Sequence, residues 1–422
     1  MPQELDLGSL DLTAIVRAGD TVLWGQAGGE PTALTAALMA QRHAIGGFDA
    51  WIGMTLSDAA DPVNADCVRF RSYCGSARNR GLAAIGRLDI LPCHYSELPG
   101  LFASGRLKID VLMLQLAPAD VDGNYSLSIA HEYLIPALAA ARLVIAEVNA
   151  AAPFTYGERP IRDSDLDYIV RTDRPPLALE QSAPKATELA IARHVAGLIE
   201  DGATLQFGMG ALPEALLSAL FDKRDLGIHT GTFGDRAAAL MEAGVVTNAR
   251  KSIDPGVTVA GVIMGGRRAY DFAHRNRSVA FRSTAYTHDR DVLASIDRFV
   301  ALNSAVEVDL TGQINSEVAG GTYVGAVGGA ADFLRGAHRS KGGLPIVALP
   351  ATARGHSRIV ARLNGPVSTA RSDAGLIVTE HGVADLRGLG LAERVRRMVA
   401  LAAPDCREAL ERDAHAMRLS VD

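Results

Sequence analysis

The sequence predicts two related α/β domains, each built on an open and largely parallel sheet. Three observations carry this. The chain has 422 residues, about twice what one ordinary core organises. Strand-like runs alternate with helical ones through the first half. The second half then repeats that alternation with its glycines and prolines in matching places, over a period far too long for a solenoid.

In the first half a short strand, Thr21 to Trp24, runs into Gly25-Gln-Ala-Gly-Gly-Glu-Pro31. A helix is predicted over Thr32 to Arg42, with Pro31 at its start, where a missing N–H leaves nothing unpaired. Asp110 to Leu116 reads as a buried strand closed by Asp120-Val-Asp-Gly-Asn-Tyr-Ser126, before an alanine-rich helix (Ile135 to Ala141) and a strand from Leu143 to Val148. In the second half Gly202-Ala-Thr-Leu-Gln-Phe-Gly208 matches Gly19-Asp-Thr-Val-Leu-Trp-Gly25, and Pro213 stands as Pro31 does. Asp309 to Asn315 matches Asp120 to Ser126, and Leu344 to Leu349 matches Leu143 to Val148. The offset grows along the chain, with the largest insertion between the last two pairs. The join falls between Thr155 and Pro184, a stretch rich in Pro, Arg and Asp, which gives domains of 1–183 and 184–422. Open parallel sheets bind ligands at the carboxyl ends of their strands, so two such edges face to face make an interdomain cleft.

That largest insertion holds Gly325-Ala-Val-Gly-Gly-Ala-Ala-Asp-Phe333. Gly328 and Gly329 sit where a strand-like segment (Gly321 to Val327) hands over to a predicted helix, Ala330 to His338. Without Cβ atoms the backbone can turn sharply and a ligand can approach its N–H groups. At a helix start those groups favour negative charge, a phosphate or the oxyanion formed when a thioester carbonyl is attacked. A tight turn that binds nothing reads the same way in isolation.

Composition excludes several classes. Hydrophobic residues make up 48% and charged residues 21%, as in a folded globular protein. The net charge of −6 supplies no basic surplus for nucleic acid, and Arg394, Arg396 and Arg397 read as a solvated helix face. No apolar run reaches the roughly 18 residues that span a bilayer, and the acidic start lacks a signal-peptide core. Cys67, Cys74, Cys93 and Cys406 show no Cys-x-x-Cys spacing, which points to reduced thiols in the cytoplasm. Gly208-Met-Gly210 follows a strand, but Pro213 replaces the third glycine of a dinucleotide loop and no acidic residue ends the next strand. His131, His229, His288 and His381 are scattered without metal-ligand spacing, so no metal is expected. Neither a Gly-x-Ser-x-Gly elbow nor a P-loop lysine is present. Four carboxylates stand at strand ends or in loops: Glu30, Glu132, Glu317 and Glu380. Glu317 lies just upstream of the glycine-rich insertion and is the one best placed to face a ligand; Glu30 precedes a helix, where a carboxylate also meets the dipole.

The combination resembles the acetyl-CoA hydrolase/transferase family, the family I CoA-transferases of the 4-hydroxybutyrate and acetate type. The resemblance runs over nearly the whole chain. It is strongest in Asn303-Ser-Ala-Val-Glu-Val-Asp-Leu-Thr-Gly-Gln313, in the diglycine loop through Gly336, and in Ser340-Lys-Gly-Gly-Leu-Pro-Ile-Val-Ala-Leu-Pro350. Val378-Thr-Glu-His-Gly-Val-Ala-Asp-Leu-Arg387 and Ala403-Pro-Asp-Cys-Arg-Glu408 add to it. It implies two similar open α/β domains (the family I CoA-transferase fold) with the active site in the cleft between them. It also implies coenzyme A, as acyl-CoA, for a ligand, with a carboxylic acid, water or another small acceptor as second substrate, and it allows a homodimer.

The resemblance further implies a covalent mechanism, in which a glutamate side chain attacks the thioester and becomes glutamyl-CoA. That glutamate ends a strand in a His-Thr-Glu or Ser-Glu segment. Here the frame is Leu226-Gly-Ile-His-Thr230, then Gly231, then Thr232-Phe-Gly-Asp235, so glycine stands where the nucleophile is expected. The Gly-Gly-Gln of the family loop is likewise Gly328-Gly329-Ala330. Thioester chemistry without the glutamate then has Glu30 or Glu317 as replacement carboxylate or water activator, with His229 as a further catalytic candidate. Phe207, Gly208, Gly231, Gly328, Gly329 and Lys341 are the expected contacts to CoA and the oxyanion. Three functions follow: acyl-CoA hydrolysis or acyl transfer, a CoA-transferase using another carboxylate, and an inactive CoA-binding or partner subunit.

Overall fold

A computed structural model describes residues 1–179 and 183–419 of the chain; Glu180, Gln181 and Ser182, within the expected join, lie outside the described residues. The first sheet is built from β1 (Gln3–Glu4), β2 (Thr21–Trp24), β3 (Phe48–Ile52), β4 (Val68–Ser72), β5 (Leu88–Ile90), β6 (Val111–Leu116), β7 (Leu143–Asn149) and β8 (Tyr168–Thr172). Their order is β1-β8-β7-β6-β2-β3-β4-β5, every pairing parallel. The second sheet holds β9 (Thr204–Phe207), β10 (Gly227–Ile228), β11 (Phe299–Ser304), β12 (Leu344–Ala348), β13 (Leu376–Thr379) and β14 (Gly382–Asp385). Its order is β10-β9-β11-β12-β13-β14, parallel except for the last pair.

Set beside each other, β3-β2-β6-β7-β8 and β10-β9-β11-β12-β13 follow the same order in chain and in space. The duplication read from matched glycines is thus a duplication of topology. β6 and β7 are buried along nearly their whole lengths, which is why they read as continuous apolar runs and not as alternation.

Helix boundaries show what local sequence signals set. The first long helix spans Thr32–Ile45, three residues past the expected end, and stops where Gly46 takes a left-handed φ of 87°. The segment Gly321 to Val327, expected to be strand-like, contributes only Thr322–Tyr323, which pair with Val318–Ala319 in a hairpin. Residues 324–329 cross as an irregular strap, and the helix Ala330–Arg339 begins after it.

The strap and its helix bind the two domains together. Gly75 N–H donates to Gly325 O at 2.8 Å and Tyr95 N–H to Gly328 O at 3.0 Å. Ser96 donates from both its N–H and its hydroxyl to the Asp332 carboxylate, at 3.2 and 2.8 Å. From the other side, the N–H groups of His131 and Glu132 donate to Gly261 O.

Candidate active site between the domains

Gly231 follows β10 at its carboxyl end, where ligands of a parallel sheet are met. Its neighbours fix it: Thr230 Oγ1 and Thr232 Oγ1 both donate to Phe207 O at 3.0 Å, and Gly231 O accepts from Gly261 and Val262. A Cβ added to Gly231 would lie 3.2 Å from Cε1 and 3.3 Å from Nε2 of His288, with Phe333 Cζ at 3.7 Å. A Cβ on Gly329 would lie 2.5 Å from Cδ2 and Nε2 of the same imidazole. The His288 ring therefore separates the strand end from the diglycine loop. It packs against Tyr95 and Phe333, with ring centroids 5.0 and 4.4 Å away.

Gly328 takes a left-handed φ of 55°, which glycine adopts without strain, and Gly329 caps the following helix at φ −90°. The N–H groups of Gly329, Ala330 and Ala331 have no acceptor among the described residues. They are the donors a helix start leaves over, aimed where a helix dipole favours negative charge. Asp332 is turned away from them to Ser96, and burial raises its carboxyl above the usual range.

A buried polar network backs the site from the first domain. Glu132, 2% exposed, accepts from Gln26 Nε2 at 2.6 Å and from Tyr95 Oη at 2.7 Å. Gln26 Oε1 in turn accepts from Tyr73 Oη and Met54 N–H. Burial pushes the Glu132 carboxyl up to about 7 against the pull of these two donors. Tyr95 joins this network to the cleft, since its ring lies on His288 and its N–H holds Gly328.

The structure gives several sequence-expected residues other work. Glu30 is fully buried, and its oxygens accept from the N–H groups of Leu56 and Ser57 and the Ser57 hydroxyl, holding that turn; burial raises it to about 7. Glu317 accepts from Ser368 Oγ at 2.6 Å and Tyr323 Oη at 2.7 Å, clamping the hairpin that leads into the strap. Neither carboxylate hydrogen-bonds to Gly231, Gly329 or His288. His229 is fully enclosed against Tyr286 with neither ring nitrogen paired, and burial lowers it to about 3. The Phe207 N–H is used by Thr230 Oγ1 at 3.3 Å, whereas Gly208 has open space at its Cβ position. Lys341 is exposed beyond the carboxyl end of the Ala330–Arg339 helix, about 15 Å of helix away from the diglycine turn. Gly231, Gly328 and Gly329 are brought together; Lys341 is not among them.

In the sequence Glu132 is one of four strand-end or loop carboxylates and His288 one of several scattered histidines, with nothing to show that they share a site. His288 lies 57 residues beyond Gly231 and has no motif partner nearby. Only the tertiary fold shows what they face. A groove of about 1100 Å³ adjoins the strap, lined by Arg80, Val324, Arg354, His356 and Arg358 among others. Among the described residues no cluster of three metal-ligating side chains occurs, and no helix is long and apolar enough to cross a membrane.

Two similar open α/β sheets with a glycine-rich strap across their cleft define the class of a CoA-transferase fold. Comparison with known proteins agrees. Residues 9–181 match the acetyl-CoA hydrolase/transferase N-terminal domain and residues 265–414 the C-terminal domain of that family. The chain belongs to the acetyl-CoA hydrolase/transferase family. It is 43% identical over 329 residues to the 4-hydroxybutyrate coenzyme A transferase of Clostridium kluyveri, covering 77% of each chain. It is 33% identical to the succinyl-CoA:cyclohexane-1-carboxylate CoA transferase of Geobacter metallireducens, over 97% of this chain and 94% of that one. An acetyl-CoA hydrolase of Kluyveromyces lactis is 27% identical over 62% of this chain and 52% of its own length. The crystal structure of RipA from Yersinia pestis superposes with a TM-score of 0.92 at 33% identity, covering 97% and 96% of the two chains. The chain is thus an enzyme acting on acyl-CoA. The two family matches leave residues 182–264 between them, and Gly231 lies in that interval.

Proposed function

We propose that this protein hydrolyses an acyl-CoA thioester, with water taking the place of a protein carboxylate as the attacking group. The observation that carries it is Gly231: the strand end where the family resemblance expects a nucleophilic glutamate has no side chain and faces an imidazole. Unpaired N–H groups at the start of the Ala330–Arg339 helix suit the thioester oxyanion, so carbonyl activation does not depend on the missing glutamate. The groove holding Arg80, Arg354 and His356 suits the phosphates of CoA. In this reading the domains divide at 183/184. The four free cysteines fit a reducing compartment, the cytoplasm.

A second reading, a CoA-transferase using a displaced carboxylate, draws on one observation. Glu132 is buried beside the site with its carboxyl raised to about 7, and its backbone shares Gly261 as a neighbour with Gly231. One experiment separates the two. Acyl-CoA thioesters are incubated with and without acetate or succinate, free thiol is measured, and borohydride-treated protein is mapped by mass spectrometry. Hydrolysis predicts thiol release without acceptor and an unmodified peptide spanning Ile228 to Arg236. Acceptor-dependent CoA exchange with a label on Glu132 refutes hydrolysis and establishes the transferase.

A further inference from the structure

The cleft presents one titratable ring to both halves of the proposed reaction centre. Nε2 of His288 is the polar atom nearest the Cβ positions of both Gly231 and Gly329, so it lies between the vacant strand end and the oxyanion donors. The ring is fixed on its other side, with Nδ1 2.8 Å from Thr287 Oγ1. In the tautomer with its proton on Nδ1 the ring donates to that hydroxyl, which has Ser283 O at 3.3 Å for its own proton. That tautomer leaves the lone pair of Nε2 turned toward the glycines. Two other buried histidines are arranged differently. His131 spends Nε2 on Thr155 at 2.9 Å, and His229 is sealed with both nitrogens unpaired.

We propose that His288 Nε2 is the general base that activates the attacking water, an assignment that rests on the hydrolytic reading above. As the water oxygen bonds to the thioester carbon, its proton passes to Nε2 and the carbonyl oxygen becomes an oxyanion at the helix start. Collapse of that intermediate breaks the C–S bond, and the leaving thiolate recovers the proton from Nε2–H. The products are a carboxylic acid and CoA thiol, and water is the only co-substrate. Gly231 is then a requirement of the mechanism. A glutamate there would begin from a Cβ 3.2 Å from the ring and compete with the water for the same space.

Burial lowers the imidazole to about 3, so it is neutral and able to accept a proton across the physiological range, though weakly basic. General-base catalysis contributes roughly 10²–10⁴-fold, and a weak base belongs at the lower end.

The test compares the wild-type chain with His288→Ala and His288→Gln on acetyl-CoA and butyryl-CoA, reading thiol release. Both variants should lose about 100-fold in kcat with KM little changed. Added imidazole should restore part of the rate in His288→Ala but not in His288→Gln, whose amide still fills the ring's place. If the alanine variant does not fold, the glutamine variant carries the comparison of rates. A variant rate within about threefold of wild type overturns the assignment. So does a loss that imidazole leaves unrepaired in a His288→Ala protein with wild-type melting and CoA affinity, because that assigns the ring a packing role. Failure of the wild-type chain to release thiol from either ester refutes the hydrolytic reading itself, a result distinct from the other two.

Discussion

Gly329→Ala tests the close packing on which the site depends. The new Cβ would stand 2.5 Å from Cδ2 and Nε2 of His288 and 3.2 Å from Cε2 of Phe333. Non-bonded carbons settle at about 3.5–4.0 Å, so roughly an ångström must be found. The imidazole is poorly placed to supply it, held at Nδ1 by Thr287 and flanked by Tyr95 and Phe333. The backbone is no obstacle, because φ −90° and ψ −3° are open to alanine. The whole penalty is therefore overpacking, about 1–3 kcal/mol. In a domain of this size that lowers Tm by about 2–4 °C per kcal/mol. Gly328→Ala is the matched control. Its Cβ would meet only Ala326 at an ordinary 3.5 Å, but φ 55° charges an L-residue about 1–2 kcal/mol. Both variants should melt lower by a similar amount, whereas only Gly329→Ala displaces His288. Thiol release from acetyl-CoA, measured beside thermal melting, should fall at least tenfold further in Gly329→Ala than in Gly328→Ala, about 1.4 kcal/mol of barrier. A Gly329→Ala protein that melts and turns over like wild type would refute the reasoning, because the ring would then have room to spare.

Two further outcomes are expected. Gly231→Glu places a Cβ at 3.2–3.3 Å from His288, a conflict that a shift of a few tenths of an ångström relieves, so the variant should fold. It should lose the hydrolytic rate by filling the water's place and should become labelled within Ile228 to Arg236 when acyl-CoA and borohydride are added. An unlabelled variant with wild-type hydrolysis would show that position 231 does not face the thioester. Glu132→Gln addresses pH. The folded carboxyl is raised to about 7 from 4.5, so between those values the native state keeps a proton that the unfolded chain has lost. Stability from this group is therefore greatest below about 4.5 and falls as pH rises through 7. The glutamine variant should gain little over wild type at pH 5 and most at pH 8, by up to about 3 kcal/mol at about 1.4 kcal/mol per pKa unit. A difference in Tm that stays constant from pH 5 to pH 8 would sink it.

The fold was legible because its signals are local and repeated. Gly25 and Gly208 end equivalent strands, and buried parallel strands such as Val111–Leu116 announce themselves as unbroken apolar runs. The diglycine turn was legible for the same reason: a left-handed residue before a helix calls for glycine, and Gly328 supplies it. The partners of the carboxylates were not legible. Glu30 and Glu317 look catalytic in sequence because they stand at the edges of glycine-rich segments, but adjacency in sequence does not say which way a side chain turns. Glu30 turns to the Leu56 and Ser57 amides and Glu317 to Ser368, partners 26 to 51 residues away. Lys341 lies apart from the diglycine turn, with a helix of ten residues between them. Glu132 reads as a loop carboxylate and His288 as a scattered histidine, but that Tyr95 links the two shows only in the folded chain.

The meeting of the domains is concentrated on Tyr95, and it explains why the site needs both. From the first domain this residue holds Gly328 O with its N–H, covers the His288 ring with its own, and donates its hydroxyl to Glu132 at 2.7 Å. Each contact touches a different component: the diglycine turn, the imidazole, and the buried carboxyl. The strap could not keep Gly328 in place by local bonding alone, because its left-handed turn lies between a two-residue hairpin strand and a helix with no side-chain cap. The imidazole could not hold its angle from Thr287 alone, since a single hydrogen bond leaves rotation about that axis. Tyr95 limits both freedoms, together with Phe333 against the imidazole and with Gly75 and Ser96 on the strap and its helix, and its hydroxyl is in turn fixed by Glu132 and Gln26. The second domain carries Gly231, His288 and the diglycine loop, yet a residue from the first touches both the imidazole and the loop. The geometry of the proposed site is therefore a property of the interface, formed when the duplicated halves close on one another.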